Sequence, residues 1–223
     1  MKYVTEFQDP ALVKGLVDKA SSLGTKRSRP LNVMEVCGGH TTAIRRNSLD
    51  LLLKSSVRFL SGPGCPVCVT AVSDIDRILS LASSGKYVIC TFGDLFRVPG
   101  TELSLMELKA KGADVRIVYS VHDMLGYCRE EKDKEFVFAG IGFETTAPSV
   151  AAAMREAKRT GVRNFSVFCL HKTVPRALKV LLEDPESKIQ GFLLPGHVSA
   201  IIDWQMRYCS NCTDYLLDTT RLQ

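Results

Sequence analysis

Met34-Glu35-Val36-Cys37-Gly38-Gly39-His40-Thr41-Thr42 and Ser61-Gly62-Pro63-Gly64-Cys65-Pro66-Val67-Cys68 decide how this chain is read. Each is a short apolar run passing into a glycine-rich loop that carries cysteine. Apolar runs without polar alternation mark strands buried on both faces. Loops that follow parallel strands lie at one edge of their sheet, so two of them can meet. Cys37, Cys65, Cys68 and His40 would then face one crevice, which is the inventory of a metal or redox site. The expectation is spatial: Cys37 within reach of Cys65 and Cys68 at an accessible cleft.

Outward from these loops, strand and helix alternate. Asp9-Pro10 caps a helix carrying Leu12, Val13, Leu16 and Val17. Strands are predicted at residues 31–36, 57–60, 86–91, 113–119, 135–141, 164–170 and 189–194, with helices at 41–54, from 73 on, 101–111, 148–160 and 174–183. The fold class is α/β: two Rossmann-like lobes with mostly parallel sheets flanked by helices and a cleft between them. Val121 to Glu135 is charged and reads as irregular, so the lobes are placed at 1–120 and 121–223, the second incomplete. Gly39-His40-Thr41-Thr42-Ala43 echoes Phe143-Glu144-Thr145-Thr146-Ala147, and Gly62-Pro63-Gly64-Cys65 echoes Leu194-Pro195-Gly196-His197. Two related lobes produce such echoes, and so does chance.

Composition narrows the class. The chain has 223 residues, enough for one large domain or two lobes with real cores, and a formal charge of only +5. Its densest basic patch, Lys26-Arg27-Ser28-Arg29, reads as an anion or RNA contact or, preferred here, as a solvated loop. No nucleic-acid partner is expected. No apolar run is long enough to span a bilayer, and the opening residues are polar rather than signal-like. The expected location is the cytoplasm, where the eight cysteines are read as metal or redox sites rather than a disulfide framework.

Several residues carry candidate chemistry. Cys37 follows a strand and precedes a helix, where a thiolate is favoured by the helix dipole and free amides. His40 is a second ligand, a base for the thiol, or a helix-start residue. Cys65-Pro66-Val67-Cys68 is a C-x-x-C, suited to a small disulfide ring or to bidentate metal binding. Cys37, His40, Cys65 and Cys68 would also make a tetrahedral zinc site, and ligand type alone leaves zinc and iron both open. Cys90, Cys128 and Cys169 read as small core residues. Cys209-Ser210-Asn211-Cys212 has no second pair downstream. Gly140-Ile141-Gly142 begins like a dinucleotide fingerprint but lacks the third glycine; a tight turn explains it equally. Thr145 and Thr146 bind an anion at a helix start or cap it. Asp94 and Arg97 read as an ion pair or a polar contact. His171, Lys172 and His197 share placement at strand ends.

Taken together, Cys37-Gly-Gly-His-Thr, Gly62-Pro-Gly-Cys-Pro-Val-Cys68, Gly93-Asp-Leu-Phe-Arg-Val-Pro-Gly100, Gly142-Phe-Glu-Thr-Thr-Ala-Pro148 and Pro195-Gly-His-Val-Ser199 resemble the HypD family of nickel–iron hydrogenase maturation proteins. The resemblance runs to about Ile202. It implies a cytosolic scaffold on which iron carrying cyanide and carbon monoxide is assembled. It also implies a small HypC-type chaperone sharing that iron and a HypE-type cyanide donor. By the same resemblance Cys37 is the iron ligand, Cys65 and Cys68 are the redox pair, and His40 lines the site. Cys65 and Cys68 are also expected as metal ligands, and Thr145, Thr146 and His197, with His40, as cofactor-binding residues. Family members continue into a third domain whose cysteines hold a four-iron four-sulfur cluster. From Asp203 onward the sequence departs from that continuation, so a truncated form or an altered tail is expected.

The leading reading is a cofactor-assembly scaffold rather than an enzyme turning over a free substrate. A thiol–disulfide oxidoreductase using Cys65 and Cys68 is the first alternative, and a zinc-stabilised binding module the second.

Overall fold

A computed structural model of the chain describes residues 9–24, 26–196 and 198, with the backbone of Leu216 and Leu217. The chain divides into two compact units: residues up to Gly64 together with those from Leu178 onward, and the contiguous stretch Cys65–Ala177.

The first unit opens with α1 (Pro10–Gly24). Asp9 caps it, its carboxylate accepting the amides of Ala11 at 2.8 Å and Leu12 at 3.4 Å. Its strands are β1 (Leu31–Glu35), β2 (Val57–Ser61), β7 (Gly191–Leu193) and the short β8 (Leu216–Leu217). They form a parallel sheet in the order β2-β1-β7-β8. Between β1 and β2 lie α2 (Gly38–Arg46) and α3 (Leu49–Leu52). A single helix was the expectation. Ser48 instead takes the left-handed conformation at φ 53° and breaks it. Asn47 assists by donating its side-chain amide to the Ala43 carbonyl at 2.8 Å, which satisfies one of the last orphan carbonyls.

The second unit carries β3 (Tyr87–Thr91), β4 (Val115–Ile117), β5 (Glu135–Gly140) and β6 (Phe165–Cys169), parallel throughout in the order β4-β3-β5-β6. Alternation along β3 feeds two apolar layers. Ile89 packs with Ile75, Ile78, Leu79 and Ala82 of α4 (Val72–Ser83) and Leu105 and Leu108 of α6 (Leu105–Ala110). Val88 and Cys90 face the other side, toward α7 (Val121–Glu130) and α8 (Ala147–Thr160). The short α5 (Gly93–Phe96) follows β3, where Asp94 accepts the Leu95 amide at 2.8 Å. Among the described residues Asp94 and Arg97 form no ion pair. α9 (Val174–Glu183) begins in this unit.

The division departs from the boundary expected at 120/121. β4 and β5, on either side of that point, belong to one sheet, and the segment between them is α7 rather than irregular chain. Ser120 and Asp123 form a capping box, and Val121, Met124, Leu125 and Cys128 supply a buried stripe at helical spacing. An ionic cluster fixes its far end. Arg116 bonds Glu131 and Asp114 and lies against Tyr127 and Phe136 at 5.1 and 5.4 Å, with Lys134 2.8 Å from Glu131.

The two units share one winding. In each, the first strand in sequence pairs the second on one side and the third on the other, with the fourth beyond. The strand order therefore reverses between β1 and β7 in one unit and between β3 and β5 in the other. Ligands of such sheets sit outside the carboxyl ends of the strands at that reversal. The motifs after β1, β3 and β5 lie there, as do the described residues Pro195 and Gly196 after β7. The echoed sequences do not follow this repeat. The Cys37 loop follows a first strand and Glu144-Thr145-Thr146 a third, while Gly62–Cys65 and Leu194–His197 both follow strands of the first unit's own sheet.

Candidate functional site

In the first unit, β1 ends at Glu35, and Cys37 is the N-cap of α2 in extended conformation. The Cys37 carbonyl accepts the amides of His40 at 2.9 Å and Thr41 at 3.2 Å, which starts the helix. Its thiol is partly exposed and free. Glu35 is the charged residue buried among those described, 3% exposed. Its carboxylate accepts the Thr41 hydroxyl at 2.6 and 2.7 Å and the Ser61 hydroxyl at 3.0 Å. A buried carboxylate needs such donors, because an unpaired one would carry the full desolvation cost. Glu35 thus ties the ends of β1 and β2 to the helix that Cys37 caps.

The Gly62-Pro63-Gly64 loop completes this arrangement. The Gly62 amide donates to the Glu35 carbonyl at 2.8 Å. Gly64 packs so closely on the Cys37–Gly38 backbone that a Cβ there would lie 2.6 Å from the Gly38 nitrogen and 2.9 Å from the Cys37 carbonyl carbon. The requirement here is close approach of two backbones, one of glycine's distinctive uses. At the other side of the reversal point, the Val36 amide donates to the Leu193 carbonyl at 3.1 Å. His197 lies outside the described residues, as do Cys209 and Cys212.

In the second unit, Cys65 is half-buried against the α4 apolar layer, and Cys68 is exposed. Both are free thiols, and the turn between them is fixed by Thr70, whose hydroxyl donates to the Pro66 carbonyl at 2.9 Å. A hydrogen bond with Cys65, then burial, raises the Cys68 thiol above its ordinary value. Cys90 and Cys128 are core residues as expected, pushed by burial to about 12 and about 11 respectively. Cys169 is not a core residue. It is exposed at the end of β6, its sulfur 3.5 Å from His171 Nδ1.

The loops after β5 and β6 meet. The Leu170 amide donates to the Gly140 carbonyl at 2.8 Å and the Lys172 amide to the Gly142 carbonyl at 2.9 Å. The His171 ring lies along this backbone. A Cβ on Gly140 would fall 3.1 Å from its Cε1, and one on Gly142 would fall 3.1 Å from its Cδ2. The glycine pair that begins like a dinucleotide fingerprint has a packing reason: Gly140 leaves room for His171 and Val167, and Gly142 chiefly for the side chain of Thr146, with His171 behind it. Burial pushes the His171 pKa below its ordinary value. Glu144 accepts the Val174 amide at 2.9 Å, anchoring the start of α9. Its other oxygen and His171 Nε2 are buried with no hydrogen-bond partner among the described residues. Thr146 stands at the N-cap of α8 but donates its hydroxyl to the Phe143 carbonyl at 3.1 Å rather than capping the helix, and Thr145 is exposed.

Residues 11–217 match the HypD family, described as the hydrogenase formation hypA family. The chain belongs to the HypD family. It is 48% identical over 206 residues to the hydrogenase maturation factor HypD of Rhodobacter capsulatus, covering 91% of this chain and 55% of that one. The hydrogenase maturation factor HypD of Escherichia coli K12 gives the same identity and coverage. That of Rhizobium leguminosarum bv. viciae is 44% identical over 209 residues, 91% of this chain and 54% of its own. The chain spans about half the length of these relatives.

The described residues of the HypD-family segments fall at strand ends in both units. Within either unit, no group of three or more described His, Cys, Asp and Glu side chains is placed to hold a metal ion. No described helix is long and apolar enough to cross a membrane. Sequence reasoning missed Glu35 and Ser61. The available signal was a lone acidic residue at the end of a mostly apolar strand, followed by a hydroxyl six residues later in Thr41.

Proposed function

We propose that this chain serves hydrogenase maturation as a scaffold for iron that acquires cyanide and carbon monoxide, the iron being cargo. Cys37 is the assigned iron ligand, with Cys65 and Cys68 as a dithiol near the same iron. Thiolate suits a low-spin iron carrying strong-field diatomic ligands. Oxidation of Cys65 and Cys68 to a disulfide would release two electrons and two protons for work at that iron. His40, Thr145, Thr146 and His197 would hold the cyanide nitrogens through hydrogen bonds, orienting ligands from outside the coordination sphere. A HypC-type chaperone would share the iron and a HypE-type protein would deliver cyanide.

One observation carries this reading. Gly64, the residue that precedes Cys65, packs on the backbone of Cys37 and Gly38. The Gly62–Gly64 turn is built against the Cys37 loop there, within the first unit, and Glu35 ties the two through Thr41 and Ser61.

The test is metal analysis and infrared spectroscopy of protein purified without oxygen from a hydrogenase-producing host. Iron with cyanide and carbonyl stretches, lost in Cys37→Ala, is the expected result. Stoichiometric zinc without those bands favours the zinc module. Unchanged iron and bands in Cys37→Ala would overturn the assignment of Cys37.

A further inference from the structure

The basic patch that reads from sequence as a solvated loop is one wall of a groove. Lys26, Arg27 and Arg29, before β1, are joined by Arg58 of β2 and Lys188 before β7 around an open volume of about 990 Å³. No acidic side chain lines it, and among the described residues none of these five cations forms an ion pair. The chain's entire formal excess is +5. As many uncompensated cations as that excess sit in this one groove. Like charges gathered around one groove repel one another, the more so where fewer than about 8 Å of physiological salt solution screens them, so an occupant that neutralises them is favoured.

We infer that this groove docks an acidic, carboxylate-rich segment of a protein partner. The guanidinium groups of Arg27, Arg29 and Arg58 are suited to bidentate pairing with carboxylates. Asn32 and Gln190 add polar groups to the floor. No aromatic ring lines the groove, so it lacks the stacking platform on which single-stranded nucleic acid binds. Its volume is at the upper limit of small-ligand sites, about 300–1,000 Å³, and its cations come from three separate segments. An extended chain engages all of them at once, whereas one small anion reaches only a few. The groove lies at the amino ends of the strands. Cys37 follows the carboxyl end of β1, about 15 Å along the sheet at 3.3 Å per residue. A partner held there leaves Cys37 uncovered, and the inference stands independently of the iron assignment.

Fluorescence anisotropy with a labelled ten-glutamate peptide tests this on the full chain. Binding that weakens as salt rises is expected. Arg29→Glu with Arg58→Glu should lower affinity about tenfold or more. Arg29→Lys with Arg58→Lys should retain most of it. Lys132→Glu with Lys158→Glu changes net charge equally but lies outside the groove, and should leave affinity near wild type. Equal losses in the two charge-reversal pairs would overturn the inference, since net charge alone would then explain binding. Displacement of the peptide by millimolar inorganic phosphate would overturn it in favour of a small-anion site. Stronger binding of a ten-nucleotide RNA than of the peptide would overturn it in favour of nucleic acid.

Discussion

The Glu35 carboxylate accepts the Thr41 hydroxyl at 2.6 and 2.7 Å, joining the last residue of β1 to the first turn of α2 across Cys37. Thr41→Val keeps the shape and removes the donor, leaving the buried carboxylate with Ser61 alone. The expected cost is about 1–3 kcal/mol, read as a lowered urea midpoint. Thr41→Ser should restore most of it. Equal stability of wild type and Thr41→Val would show that the contact contributes nothing.

Gly64→Ala should be far more damaging than Gly39→Ala. At Gly64 the new methyl meets backbone atoms of Cys37 and Gly38 at 2.6–3.0 Å, which no rotamer change relieves. At Gly39 the nearest atom is Cys37 Sγ at 3.5 Å, an ordinary contact. Overpacking of the first kind costs about 1–3 kcal/mol. Alanine at the helical site gains about 0.5–1 kcal/mol in propensity. Denaturant midpoints of the pair decide this, and Cys37 alkylation should change rate in Gly64→Ala.

His171 gives a pH dependence whose sign is fixed. Its folded pKa is depressed below the ordinary 6.5 because burial disfavours the imidazolium. The unfolded chain therefore binds the proton first as pH falls. The contribution of His171 is fully present above about 6.5 and is lost as pH drops toward its folded value. Stability measured between pH 5 and 8 should slope downward toward acid in wild type and be flatter in His171→Asn. Parallel profiles would count against burial of the charge-bearing form.

Glu131 is held down at about 2, first by its hydrogen bonds with Arg116 and then by those with Lys134. Arg116→Gln should let Glu131 titrate closer to its ordinary 4.5. Carboxyl-carbon chemical shifts followed from pH 1.5 to 6 report this directly. The paired carboxylate contributes stability above its unfolded value and loses it as pH falls toward about 2, so the variant should show a weaker acid dependence.

Most of the fold was legible because its signals are local. Apolar runs bounded by glycine placed the strands, and Asp9-Pro10 placed the first helix start. Two features were not legible for opposite reasons. The α7 segment carries a full helical stripe, Val121, Met124, Leu125 and Cys128, but its acidic tail Glu130–Asp133 drew attention away from the Ser120 cap. The discontinuous first unit has no local signal, because the pairing of Val33 with Gly191 is a fact about the sheet rather than about either segment. At the site, Cys37 and the C-x-x-C announced themselves by residue type. Glu35, Ser61 and the seat of His171 depend on which loops touch, which spacing along the chain does not encode.

Because β1 takes its second neighbour from residues 191–193, the ribosome has made everything from Cys65 to Ala177 before that edge has a partner. The contiguous unit is free to fold first, while the β1–β2 pair waits with one row of backbone groups open to water. Long-range closure of this kind is slow and leaves a strand edge able to recruit strangers. The amides that face β7 are those of Met34 and Val36, since Val36 donates to Leu193 while the Glu35 carbonyl on the other edge takes the Gly62 amide; they should accordingly be among the last to gain protection in pulse-labelled hydrogen exchange during refolding, well after those of β3 and β5.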